Sequence, residues 1–144
     1  MKIFTMGFAQ KSAGEFFTLL KAPGLKRVVD VRLSNVSQLA GFTKKDDLRF
    51  FLSAISGLDY VHAPDLAPTK EILDAFKKHG LDWAAYEFRF LALLAQRRVE
   101  KTIPKTLMSG ACLLCSEPKP DHCHRRLVAE YLRDRWGKVE IVHL

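Results

Sequence analysis

The chain has 144 residues, 48% of them hydrophobic and 27% charged, with a formal net charge of +7 and a pI near 9.5. This composition excludes a disordered polyelectrolyte and supplies enough apolar residues for one packed core of ordinary domain size. The basic excess suits a phosphate-bearing small molecule or a nucleic acid as partner, or a plain basic surface.

Adjacent cations such as Lys44-Lys45, Lys77-Lys78, Arg97-Arg98 and Arg125-Arg126 are scattered along the chain, and there is no basic tail or arginine-rich block. Residues 1–8 (MKIFTMGF) are too short for the apolar region of a signal peptide, and no apolar run is long enough to span a bilayer. A cytoplasmic protein with no membrane partner is the expectation. In that setting the three cysteines, all between 112 and 123, suggest a metal or a reactive thiol rather than a disulfide framework.

Residues 2–8 form a first apolar run ending at Gly7. Residues 14–21 (GEFFTLLK) have helical spacing, with Ser12 as N-cap and Pro23-Gly24 as the stop. Residues 27–32 (RVVDVR) read as a β-branched strand, and 33–42 as an irregular polar stretch. A helix begins near Thr43–Asp46, carries Leu48, Phe51, Leu52 and Ile55 at helical spacing, and ends at Gly57. Residues 58–62 (LDYVH) form a third strand, and 63–68 a proline-bracketed loop. The spacing predicts a helix over 69–79 closed by Gly80, and a longer one from Trp83 to about Glu100 capped by Asp82. Residues 110–116 (GACLLCS) form a buried strand, and Pro118 and Pro120 frame a tight loop. Asp121 is placed to cap a last helix over 122–136, and 139–144 (VEIVHL) form a final strand. Strands separated by helices specify an α/β fold: one domain over 1–144, with about five mostly parallel strands and helices on both faces.

In such sheets ligands bind beyond the carboxyl ends of the strands. Those tails carry Thr5 and Gly7, Asp30 and Arg32, and Cys115 and Glu117. Asp30 lies in an apolar strand where a bare carboxylate is costly, and Arg32 is two residues on, on the same side. The two form either an internal ion pair or a ligand-facing pair. Strand alternation puts Cys115 and Glu117 on one face and Cys112 on the other, as a core residue. That argues against Cys112 and Cys115 sharing an ion, and no metal ligand is assigned. A mixed set of Cys115, Cys123 and His124, with or without Glu117, stays open.

The run Asp121-His122-Cys123-His124-Arg125-Arg126 opens the last helix, where free N–H groups and the helix dipole favour an anion. Arg125 and Arg126 add fixed charge suited to phosphate. The same field favours a Cys123 thiolate and a neutral His124, which lies on the inward stripe with Leu127, Val128 and Tyr131.

These motifs resemble the domain of unknown function 488 family along nearly the whole chain. The resemblance rests on Thr5-Met6-Gly7 with Ser12 and Phe16-Phe17, Val29-Asp30-Val31-Arg32, Tyr60 with residues 66–71 (LAPTKE), and Leu113-Leu114-Cys115-Ser116-Glu117 followed by Cys123-His124-Arg125-Arg126. It implies a single α/β domain and the position of a site, and no activity. Residues 33–38 (LSNVSQ) depart from the family, whose members often carry a proline and basic residues there. A fainter likeness to rhodanese domains rests on a strand ending in Asp-Val-Arg and a cysteine in a basic setting.

The leading expectation is an enzyme acting on a phosphate-bearing or nucleotide-like compound, with no cofactor named. Arg32, Arg125 and the start of the last helix would hold the anion. Thr5, Gly7, Ser12, Asp30 and Arg126 would complete the binding surface. Glu117 or His124 would move a proton, and Cys115 or Cys123 would serve as nucleophile. The alternatives are a nucleic-acid-binding module without catalysis, and a metal- or redox-linked Cys/His site.

Overall fold

The apolar runs become five short strands: β1 (Lys2–Gly7), β2 (Arg27–Asp30), β3 (Asp59–His62), β4 (Ala111–Cys115) and β5 (Glu140–His143). In the computed structural model, which describes residues 1–36 and 41–144, they form one sheet in the order β3-β2-β4-β1-β5. Every pairing is parallel. The expected α/β architecture therefore holds, and the order adds what a lone sequence does not carry.

Between the strands run α1 (Ala13–Leu19), α2 (Lys45–Phe51), α3 (Lys70–Lys78), α4 (Trp83–Arg97), α5 (Val99–Thr102), α6 (Lys105–Met108) and α7 (His124–Trp136). Three start where a short polar side chain accepts from the first turn. Ser12 accepts from Glu15 N at 3.1 Å, Thr69 from Ile72 N at 3.2 Å and Asp82 from Ala85 N at 2.8 Å. Each such cap contributes about 1 kcal/mol.

Three expectations about helices are corrected. The long helix does not reach Glu100, because Arg98 takes a left-handed conformation (φ 54°) that ends α4 and turns the chain into α5. After α2 the chain winds as a π-helix over Leu52–Ser56. The wider turn moves the apolar stripe, so Ile55 is exposed while Leu48 and Leu52 are buried. Asp121 does not cap α7. Cys123 N donates to the Pro120 carbonyl in a tight turn and leaves Cys123 extended, so the helix begins at His124 with Cys123 as a cap that makes no side-chain bond.

The sheet is apolar on both faces, as a parallel sheet covered twice must be. Alternate residues of each strand serve different cores. Phe4, Met6, Val28, Cys112 and Leu114 pack with Phe16, Phe17, Leu48 and Leu52 from α1, α2 and the π-turn. Ile3, Val29, Leu113 and Cys115 pack with Phe90 and Leu94 of α4 and Leu127, Val128 and Leu132 of α7.

This arrangement positions the site. Central β4 lies between β1 and β2. The chain leaves β1 toward α1 on one face and leaves β4 toward α7 on the other. Neighbouring strands whose exits diverge open a crevice at their carboxyl ends. The parallel register aligns those ends, with Gly7 opposite Cys115 and Asp30 opposite both Leu114 and His62. Among the described residues, no helix is long and apolar enough to cross a membrane.

Candidate functional site

A cleft of about 1070 Å³ occupies that crevice. The loop after β1 supplies Phe8 and Lys11, and the segment after β2 supplies Arg32. From α3 come Lys70, Asp74, Phe76 and Lys77, and from α4 comes Tyr86. The β4–α7 loop gives Cys115, Ser116, Glu117, His122, Cys123 and His124. Its volume is at the upper end of small-molecule sites.

Cys115 ends β4 and Cys123 caps α7, and the loop between them folds back so that their sulfurs meet, with Cα atoms 7.7 Å apart. The sequence argues for a metal or a reactive thiol and leaves open whether these two cysteines touch; in the structure they do. The contact arises because the loop returns α7 to the strand it left. Cys112 stays free, as expected of the opposite face. Its burial pushes the thiol up to about 12, with nearby Arg125 opposing weakly.

His124 joins the two sulfurs: one ligating atom from each of Cys115, Cys123 and His124 lies within 4.8 Å of the others. The His124 Nε2 atom is 2.6 Å from the Val31 carbonyl. A carbonyl only accepts, so Nε2 carries the hydrogen and Nδ1 is left with the lone pair. Burial lowers the His124 pKa to about 4; the Val31 hydrogen bond opposes this and nearby Arg125 adds to it. The imidazole is neutral at physiological pH, as the sequence suggests.

Arg125 is 1% exposed and lies behind this centre instead of in the cleft. Its Nη1 donates to Cys115 Sγ at 3.1 Å and to the Glu117 carbonyl at 2.7 Å. Its Nε has no partner among the described residues. Burial lowers its pKa to about 10, which leaves it charged. It acts as a positive charge beside the sulfurs and as a tie for the loop, and the expected anion-binding role does not match this position. The Glu117 carboxylate lines the cleft and accepts from Lys77 of α3.

Asp30 and Arg32 realise the ion-pair alternative. Arg32 Nε and Nη2 donate to the two Asp30 oxygens, each at 2.8 Å, and Nη2 also reaches the Thr43 carbonyl at 2.7 Å. Tyr60 donates to Asp30 Oδ2 at 2.6 Å, and Asn35 donates to Tyr60. Asp30 is fully buried beneath the cleft, while Arg32 lines it and stacks over Phe8.

Four other expected binding residues lie outside the cleft lining. Thr5 is buried on His143 Nδ1 at 2.6 Å. Ser12 caps α1. Arg126 braces the Pro120 and Asp121 carbonyls and pairs with Glu130. Gly7 packs against the Glu117 carbonyl. Of the divergent stretch 33–38, residues 37 and 38 lie outside the described residues.

Sequence reasoning missed Lys11, Lys70 and Lys77. Lys11 donates to the Gly7 carbonyl at 2.7 Å, and burial, then Arg125, lowers its pKa. Lys70 and Lys77 are two helical turns apart on α3, so their shared face was readable once α3 was placed after β3 at the same sheet edge. His122 stacks on Trp83, with centroids 4.9 Å apart, and lines the cleft.

A family model described as Domain of unknown function DUF488 matches residues 12–132. No curated protein and no solved structure matches the chain.

Proposed function

The chain belongs to the DUF488 family, and from the chemistry of its cleft we propose that it is an enzyme acting on a phosphate-bearing, nucleotide-sized compound. The observation that carries this reading is one concave site that joins four cations to the Cys115–Cys123–His124 cluster. Among the described residues, Lys11, Arg32, Lys70 and Lys77 line the same cleft as Cys115, Cys123 and His124, with the carboxylates of Asp74 and Glu117.

Lys11 and Lys77 are the point charges for the phosphate, with Arg32 completing the cradle through Nη1, the nitrogen its bonds to Asp30 and Thr43 leave out. Phe8, Phe76 and Tyr86 offer apolar and aromatic surface for the rest of the substrate. The Cys115–Cys123–His124 cluster is where the substrate reacts, and Glu117, held by Lys77, moves the proton. Concavity favours a small molecule over a nucleic-acid strand, which a basic groove along the surface would suit better.

The test is phosphorus NMR of a panel of nucleotides and phosphate esters incubated with the protein. Turnover is expected in the wild type and lost in Glu117→Gln and His124→Ala, with circular dichroism unchanged. Full turnover in both variants overturns the proposal, as does no reaction across the panel.

A further inference from the structure

We propose that Cys115, Cys123 and His124 bind one Zn²⁺ ion whose fourth coordination position opens into the cleft. This deepens the function proposed above, because it says what makes the centre reactive; the binding of the ion itself does not depend on the substrate class.

Four observations carry it. First, the donors are two sulfurs and one imidazole, converging within 4.8 Å. Soft thiolates with imidazole form the donor set that selects zinc. Second, the backbone spacing suits an ion better than a direct link. The Cα atoms of Cys115 and Cys123 are 7.7 Å apart, beyond the roughly 4.4–6.8 Å usual for disulfides. Two thiolates each about 2.3 Å from one tetrahedral ion bridge a wider gap.

Third, the supporting bonds are those a ligand set needs. The Val31 carbonyl holds the Nε2 hydrogen of His124 and so presents Nδ1 for ligation. Arg125 Nη1 donates to Cys115 Sγ and favours the thiolate over the thiol. Fourth, only three ligands converge among the described residues, and all three line the cleft. A three-ligand zinc keeps a position for water or substrate, whereas structural zinc sites are closed by four.

The charges balance. Zn²⁺ displaces the two thiol protons to solvent, and the ion with two thiolates and a neutral imidazole carries no net charge. No electron is transferred. When bound, the ion supplies an acidified water or a Lewis acid for a phosphate oxygen, and Glu117 on the cleft wall is the group placed to exchange its proton.

The test is made on the full chain, reduced and purified without chelator. Zinc is measured by elemental analysis, and Co²⁺ is titrated into the metal-free protein while its absorption spectrum is recorded. One zinc per chain is expected, with tetrahedral cobalt bands and intense thiolate-to-cobalt absorption. Both signals should persist in Cys112→Ser and vanish in Cys115→Ser and Cys123→Ser. Because the serine variants could misfold, the wild-type cobalt spectrum decides by itself. Octahedral cobalt, or no binding by the reduced wild type, overturns the proposal. So does isolation as a Cys115–Cys123 disulfide that takes up no metal after reduction. Phosphate binding with no zinc would defeat this inference alone; stoichiometric zinc with no phosphate ligand would defeat only the substrate reading.

Discussion

Gly7 lies against the Glu117 carbonyl so closely that a β-carbon at residue 7 would sit 1.5 Å from that oxygen. The contact is backbone to backbone, so no side-chain rotation relieves it. It brings the β4–α7 loop down onto the end of β1, where the Glu117 carbonyl also meets Arg125. Gly7→Ala should therefore cost about 3 kcal/mol or more and displace the loop that carries Glu117. Denaturant unfolding of the variant checks this, and a loss under about 1 kcal/mol would contradict it.

The Asp30 network contributes to stability. Asp30→Asn leaves Arg32, only 6% exposed, without its counter-charge. Breaking a buried pair from one side costs about 3–5 kcal/mol. Tyr60→Phe removes one hydrogen bond to Asp30 and should cost about 1–2 kcal/mol. Burial, and then the Asp30 bond, push the Tyr60 pKa up, so the hydroxyl stays protonated and remains a donor. Equal stability losses in the two variants would contradict this ordering.

His143 links stability to pH. Burial lowers its pKa, with Arg125 adding to the effect. The unfolded chain takes up this proton near pH 6.5, before the folded chain does. Stability from this group is thus complete above about pH 6.5 and falls as the pH drops toward the lower folded-state value. Melting temperatures measured between pH 7 and pH 5 should fall less steeply for His143→Gln than for the wild type. Parallel slopes would contradict the assignment.

The cleft lysines should matter to binding and little to folding. Lys77 and Glu117 are both partly exposed, so their pair contributes at most about 1 kcal/mol to stability. A charge-assisted bond to phosphate is worth about 1.5–3 kcal/mol. Lys77→Met and Lys11→Met should each weaken nucleotide binding about tenfold or more in calorimetric titration, with melting points close to wild type. Unchanged affinity in both variants would remove these lysines from the site.

Much of this was readable in the sequence because local signals agreed with the fold. Ser12 and Asp82 cap their helices as their residue types suggest. Strand alternation correctly separated Cys112 from Cys115. The gathering of Cys115, Cys123 and His124 followed from placing one at a strand end and the others at the next helix start. The failures came where a long-range contact overrode a local preference. Arg125 reads as a surface phosphate ligand until β1 and α7 bury it behind Cys115. Thr5 reads as a strand-tip ligand until β5 brings His143 beside it. Lys77 reads as one of a solvated pair until α3 places it over Glu117. Strand order determines all three, and no pattern along the chain encodes it.

The most direct test of the central claim is a thermal-shift titration of the wild-type protein. The ligands are inorganic phosphate, nucleoside mono-, di- and triphosphates, and short single-stranded DNA, each at low and high salt. A ligand that binds only the folded state must raise the melting temperature. The cleft described here predicts a rise with a nucleotide that persists at high salt and shrinks in Lys77→Met. A rise with DNA alone that disappears in salt, or no rise with any of these ligands, would contradict it.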